Sequence, residues 1–530
     1  MIKPFCLYFF IFSLNKNSIQ NAFEQEATPN ILRNPSLLEN FHSFPLPSIK
    51  MSLSSQSQST FSFNNYPITL NGLNNSLRTQ TGLEMKKRIS IVMNQLNLMN
   101  NSESGEFNIL VFGGSVTAGH NCFTPSGSEC CWSEFFVSFL EKVFSNVKIN
   151  LINNAHGGTT SEYLANTGVS EVSQKILAAE DIHLVLVDFT TNDIAHVKKD
   201  PRHEGRYLQS VHASNEHFIR QLLLLDSATM IWYLEYFVFD PTVRHEPNLY
   251  FPVCSYYGIP LLSYTNLVFP EGWVGSREIT SFYDIRYMSN HIPDSGNHPG
   301  WYSHQLIADF VSFYFMLFHA KFSSNPVVTE NKHFQLPNVK FYNESELMCS
   351  KSVLMLDARK EYHLDASNRP SASFLKSICD PSSSECKSWE LYEDRKDKAG
   401  WIITSSSLEP ASLVLKLNNS MLPVLLIVEY LKSYEHMGNI TVSTPFNKCY
   451  RNMRLDNEKL YRRPMVSGLW DDASSQSQFL KIQLRTGKIQ DCSLDYFEIA
   501  FKPTFDENAP IGKDKFKILS FHLCQNQFLG

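Results

Sequence analysis

The sequence predicts an α/β domain built on a parallel sheet, followed by an antiparallel β-sandwich. Between residues 84 and 237, apolar runs of strand length alternate with helix-length segments, the pattern of right-handed βαβ crossovers under a sheet covered on both faces. From about residue 330 the pattern changes to the short runs SLVLKL, VLLIVEYL, NITVST, FLKIQLR, YFEIAF and FKILSFHL, separated by turn-rich stretches. The chain has 530 residues, 43% of them hydrophobic. That is too long for one ordinary domain and apolar enough for two cores.

The first helix is expected over about 84–99, where Ile89, Ile91, Val92, Leu96 and Leu98 form an apolar set that covers one edge of the sheet. Phe107–Phe112 reads as the first strand and stops at Gly113 and Gly114, which deliver Ser115 into a turn. Glycine there permits backbone angles that a Cβ forbids and lets another group approach closely. A cysteine-containing loop (Cys122, Cys130, Cys131) and a helix from Trp132 to Phe144 follow. VKINLIN is the second strand and ends in NAHGGTTSEY; a helical stretch runs to about Ala179; IHLVLVDF is the third strand and ends in TTND. A helix over about 207–225 leads to the fourth strand, TMIWYLEYF, and IPLLSY offers a short fifth. Pro299 opens an aromatic-rich final helix and keeps His298 out of helical geometry, so the imidazole sits on the loop at the helix entrance.

Residues 15–80 are rich in Asn, Ser, Gln and Pro and read as a flexible leader. Before them, Lys3 and the apolar run Phe5–Leu14 form the pattern of a secretory signal. Spanning a bilayer takes roughly 20 apolar residues, more than this run supplies. The expected organisation is a signal peptide or uncleaved anchor over 1–22, a leader over 23–82, an α/β domain over 83–328 and a β-sandwich over 335–530. Removing Cys6 with the signal leaves ten of eleven cysteines, an even number that suits disulfides, Cys379 with Cys386 among the candidates. The sequons at Asn74, Asn100, Asn343, Asn418 and Asn439 also fit export and a glycoprotein. A net charge of −6 gives no footprint for nucleic acid.

A serine after strand one, a glycine after strand two, an asparagine after strand three and a histidine before the last helix form an ordered set. Over roughly residues 105–320 this order resembles the SGNH hydrolases, also called GDSL-type esterases. GGSVTAG stands where that family has its GDS block, HGGTTS where it has the block glycine, TTND for GxND, and HPGWYSH for the terminal histidine block. The resemblance implies a three-layer, flavodoxin-like α/β/α domain. It also implies a serine esterase that needs no cofactor and no metal. Ser115 would be the nucleophile and His298 the general base. The oxyanion donors would be the Ser115 and Gly158 N–H groups and the Asn192 side-chain amide, with Gly157 the substitute for Gly158. The family's aspartate stands three residues before its histidine. Here that position is Ser295, and Asp294 lies one residue further off as the group that orients the imidazole. The GxND glycine is Thr190, and the GDS aspartate is Val116 or absent, which bears on the geometry of the oxyanion hole.

Plainer readings compete at each position. Asn192 with Asp193 also fits a helix cap; His291, His304 and His156 rival His298 as the base. His291, Asp294, His298 and His304 also fall within 14 positions as a metal set, though at looser spacing than zinc ligands on a helix. Small acyl esters of polysaccharides lead as substrates, with lipids second, and an O-acyltransferase or lipase would use the same residues. Trp389, Trp401 and Trp470 are stacking candidates for a carbohydrate-binding sandwich, with core packing the more frequent role. The competing class is a catalytically decayed, SGNH-like glycan-binding or surface-interaction protein.

Overall fold

The computed structural model describes residues within 73–168, 181–268, 298–323 and 351–525, apart from short stretches of which 237–248 and 485–495 are the longest. Two compact units divide the described chain. Residues within 1–155, 179–212 and 223–341 form one; residues within 156–178, 213–222 and 342–530 form the other. The signal, the leader as far as residue 72, His291, Asp294 and Trp470 lie outside the described residues, whereas the end of the expected leader is packed, with Leu73, Ser76 and Thr79 buried.

The first unit holds a sheet of five parallel strands: β1 (Glu106–Gly113), β2 (Lys148–Asn153), β3 (Leu184–Asp188), β4 (Met230–Glu235) and β5 (Leu261–Ser263). Their order is β2-β1-β3-β4-β5, that of flavodoxin-like doubly wound sheets. Every residue of β3 and β4 is buried. This is why both read as unbroken apolar runs, since a strand covered on two faces has no solvent side to alternate toward.

The helices are α1 (Leu83–Ser102), α2 (Trp132–Val143), α3 (Thr190–Lys198), α4 (Glu204–Leu224), α5 (Phe251–Tyr257), α6 (Tyr264–Val268) and α7 (Trp301–Phe322). α7 packs on α2 and α1, and Phe315 is the hub. Its ring lies 5.7 Å from Phe136, 6.0 Å from Trp232 and 6.1 Å from Phe107, tying α7 to α2, β4 and β1. α1 reaches β4, so it covers a face of the sheet. The sheet edge is lined instead by the chain just before α1: Leu77 pairs antiparallel with Leu262, and the Arg78 N–H donates to Leu261 O at 2.9 Å.

The second unit is a β-sandwich. One sheet runs β15 (Met453–Leu455), β17 (Gln476–Leu484), β13 (Val424–Lys432), β19 (Lys515–Gln525), β10 (Ala399–Thr404) and β9 (Glu390–Glu393). The other runs β16 (Met465–Ser467), β14 (Asn439–Ser443), β18 (Tyr496–Thr504), β12 (Ser412–Asn418) and β7 (Leu375–Ile378), and β8 (Cys386–Lys387) pairs with β11 (Glu409–Pro410). The long strand β19 (Lys515–Gln525) pairs along one side with β10 (Ala399–Thr404) through its first half and with β6 (Lys351–Asp357) through its second. Leu413, Leu415, Ile440, Val442, Ile499, Phe501, Phe516 and Phe521 meet in one core, as their alternation along the strands requires. Trp389 and Trp401 belong to that core, and the Trp389 Nε1–H donates to Ala411 O at 2.9 Å. They are packing residues, not exposed stacking platforms. Cys379–Cys386 is a disulfide, as is Cys122–Cys130 in the first unit.

Candidate active site

β1 and β3 are neighbours whose carboxyl ends finish level, with Gly113 paired to Asp188. Ser115 follows directly on β1, and Asn192 follows on β3. In a sheet of this order the crossovers change direction between β1 and β3, so the loops leaving those strands part and open a crevice. The sheet register thus sets the serine and the asparagine at the place where such sheets bind ligands.

The chain coils after Gly114. Ala118 N–H donates to Gly114 O at 2.9 Å, Gly119 N–H to Val116 O at 3.0 Å and His120 N–H to Ser115 O at 3.0 Å, leaving Ser115 half-buried. Neither Gly113 nor Gly114 has a positive φ; the need for Gly113 is room. A Cβ there would lie 2.4 Å from Thr117 Oγ1 and 2.6 Å from Asp188 O, so any side chain would push the turn off the strand end. Asn121, just past the coil, does take a left-handed φ of 62°, and the Cys122–Cys130 disulfide closes the loop behind it.

His298 lies at the entrance to α7, ahead of Pro299 and the helix N-cap Gly300, as the proline requires. Its Nδ1 is 3.4 Å from Asn121 Nδ2, and its ring centroid is 6.0 Å from that of His120. The imidazole therefore stands at the end of the coil that Ser115 begins. His304, a rival base, is fully buried and accepts the Trp132 N–H on Nδ1 at 3.1 Å. It satisfies the amino terminus of α2, whose N-cap Cys131 supplies no side-chain bond. Burial, then the neighbouring His298, pushes its pKa down to about 3, which suits a neutral structural acceptor. His156 lies in the second unit, its ring 5.5 Å from that of Tyr163.

Asn192 is the third residue of α3 and buried, so it is not the helix cap. That work falls to Asp188, whose Oδ1 accepts the Thr190 N–H at 3.3 Å. Asp193 points elsewhere and accepts the Tyr250 hydroxyl at 2.9 Å. Thr190, at the position where the SGNH motif order has glycine, is used as a tie. Its hydroxyl donates to Leu234 O at 3.3 Å and accepts the Tyr236 N–H at 3.0 Å, fixing the start of α3 to the end of β4.

Gly158, and not Gly157, takes a left-handed φ, of 84°. It belongs to the second unit, where its carbonyl accepts the Ser477 N–H at 3.0 Å. The same segment is held there by a Lys481–Glu162 ion pair at 3.0 Å and a Thr167 Oγ1 to His522 Nε2 bond at 3.1 Å.

Sequence reasoning missed Asp188 and Thr117. Asp188 closes an apolar run two residues before a helix, an arrangement that fits an Asx cap and was the available signal.

No family model matches the chain, and no curated protein matches it. Among solved structures, a two-domain esterase (CEX) active on acetylated mannans is similar at 15% identity with a TM-score of 0.52, covering 86% of this chain and 99% of that one. The same esterase co-crystallised with mannopentaose gives 15% identity and 0.51 over the same shares. At that identity the likeness is one of fold, and it extends over both parts of the chain.

Proposed function

We propose that this protein is an exported serine esterase that hydrolyses acyl esters, acetyl esters foremost, carried by glycans. The observation that carries the reading is the level finish of β1 and β3, which sets Ser115 and Asn192 at the switch point of the sheet. The glycan substrate is supported by the fold likeness to an esterase active on acetylated mannans. Export is supported by the apolar amino-terminal run and by the Cys122–Cys130 and Cys379–Cys386 disulfides.

In this mechanism Ser115 Oγ attacks the ester carbonyl while His298 takes its proton and then protonates the leaving sugar hydroxyl. The oxyanion donors in this reading are the Ser115 N–H and the Asn192 amide, with the Gly158 N–H as a third donor and Asp294 as the group that orients the imidazole carried only as expectations from the motif order. Water attacks the acyl-serine, again with His298 as base, and releases the acid. The test is turnover of p-nitrophenyl acetate and acetate release from acetylated mannan by wild type and Ser115→Ala. Loss of both in a folded variant supports the reading; retained turnover removes the serine from the mechanism.

A further inference from the structure

A buried polar chain runs across the carboxyl ends of three neighbouring strands. It begins in the nucleophile's coil, where Thr117 Oγ1 donates to Asp188 Oδ2 at 3.0 Å. It passes through Asp188, whose main-chain carbonyl also accepts the Gly114 N–H at 3.2 Å and whose Oδ1 accepts the Thr190 N–H at 3.3 Å. It ends on β4, through the Thr190 hydroxyl at Leu234 O and Tyr236 N. Thr117, Asp188 and Thr190 are all buried.

We propose that Thr117 and Asp188 are positioning residues that fix the distance between the Ser115 hydroxyl and the Asn192 amide. This rests on the esterase reading above. Ser115 lies two residues before Thr117 in the coil, and Asn192 two residues after Thr190 in α3. A single carboxylate therefore grips both the segment that carries the nucleophile and the helix that carries the oxyanion donor. Placing an ionisable group at the end of a wholly buried strand is costly in itself. Two oxygens acting as separate acceptors are what neither a hydroxyl nor an apolar residue supplies. A second support is Gly113, where the absence of a Cβ lets Thr117 fold down onto the strand end to reach Asp188. Neither Thr117 nor Asp188 is assigned contact with substrate; they act through Ser115 and Asn192.

The test is steady-state hydrolysis of p-nitrophenyl acetate by full-length wild type, Thr117→Val, Thr117→Ser, Asp188→Asn and Ser115→Ala, with thermal midpoints alongside. Thr117→Val keeps the shape and removes the donor. Displacements of about 1 Å in a catalytic geometry cost up to about a hundredfold, so kcat is expected to fall about ten- to a hundredfold with KM changed by less than about twofold. Thr117→Ser returns the hydroxyl and should restore kcat to within about threefold, a rescue that a purely structural loss would not show. Asp188→Asn keeps one accepting oxygen of two and should also lower kcat with KM held, which keeps the proposal testable if Thr117→Val does not fold. Wild-type kcat in a folded Thr117→Val or Asp188→Asn overturns the proposal, as does a Thr117→Ser no better than Val. Turnover retained in Ser115→Ala removes the esterase reading and the proposal with it; loss in Ser115→Ala with wild-type kcat in Thr117→Val removes the proposal alone.

Discussion

Asn121 and His298 stand 177 positions apart in the chain and meet at 3.4 Å, the asparagine's amide against the imidazole Nδ1. Asn121 Nδ2 is a donor, so this contact is a hydrogen bond only when Nδ1 accepts, whereas a base acting through Nε2 carries its proton on Nδ1; the residue at 121 therefore bears on both the tautomer and the pKa. Replacing Asn121 by Asp puts a negative charge beside the ring and favours the imidazolium. The neutral form is the base, so the acid limb of the kcat/KM profile should move to higher pH. Asn121→Ala should leave that limb nearer its wild-type position. Profiles measured from pH 5 to 9 on both variants check this, and an unmoved limb in Asn121→Asp places the imidazole outside the reaction.

Asn192 is expected to act on the transition state alone. Removing one oxyanion donor typically costs about 3 kcal/mol, or roughly a hundred- to a thousandfold in kcat. Asn192→Ala should show that loss with KM nearly unchanged. A rise in KM at constant kcat would mean the amide binds substrate uniformly instead.

Asp188 makes a prediction about stability as well as rate. Burial pushes its carboxyl from an ordinary 3.8 up to about 6 against three hydrogen-bonding contributions that pull it down. The folded state therefore favours the protonated form. This group's contribution to stability is fully present below pH 3.8 and is lost as pH rises through 6. At pH 8 the penalty is on the order of 2–3 kcal/mol, at 1.36 kcal/mol per pKa unit. Asp188→Asn should abolish this pH dependence while losing activity. Denaturant midpoints at pH 5 and pH 8 read it directly; equal midpoint shifts at the two pH values contradict it.

Trp389 is expected to matter for folding. It is buried in the sandwich core, and its indole N–H bonds the Ala411 carbonyl. Trp389→Ala should cost about 3–5 kcal/mol, read as a lowered thermal midpoint. A weakened affinity for mannooligosaccharides at unchanged stability would return the residue to a binding role.

How much of this was legible in the sequence follows the physics of each element. β3 and β4 were plain because strands buried on both faces give continuous apolar runs. His298 was plain because Pro299 forces the residue before it out of the helix. Ser115 and Asn192 stood out because each follows an apolar run. Of the two reasons read for glycine at 113, close approach holds, by Thr117 and Asp188, while the backbone angle is ordinary. Asp188 was passed over because one carboxylate at a strand end looks like a solvated terminus until its partners are known. The helix expected to reach Ala179 appears in the described residues as a short turn ending in a π-helical stretch, Leu164–Gly168. The grouping of residues 156–168 with the sandwich was not visible either, since Ser477 and Lys481, which hold that segment, are more than 300 positions away.

The central claim is that Ser115 is an activated nucleophile, and a fluorophosphonate tests it without knowledge of the substrate. Intact-mass and peptide mapping after treatment of the full chain should find one adduct on the peptide containing Ser115, absent in Ser115→Ala and slowed in His298→Ala. An unlabelled protein, or a label on another serine, would contradict the account.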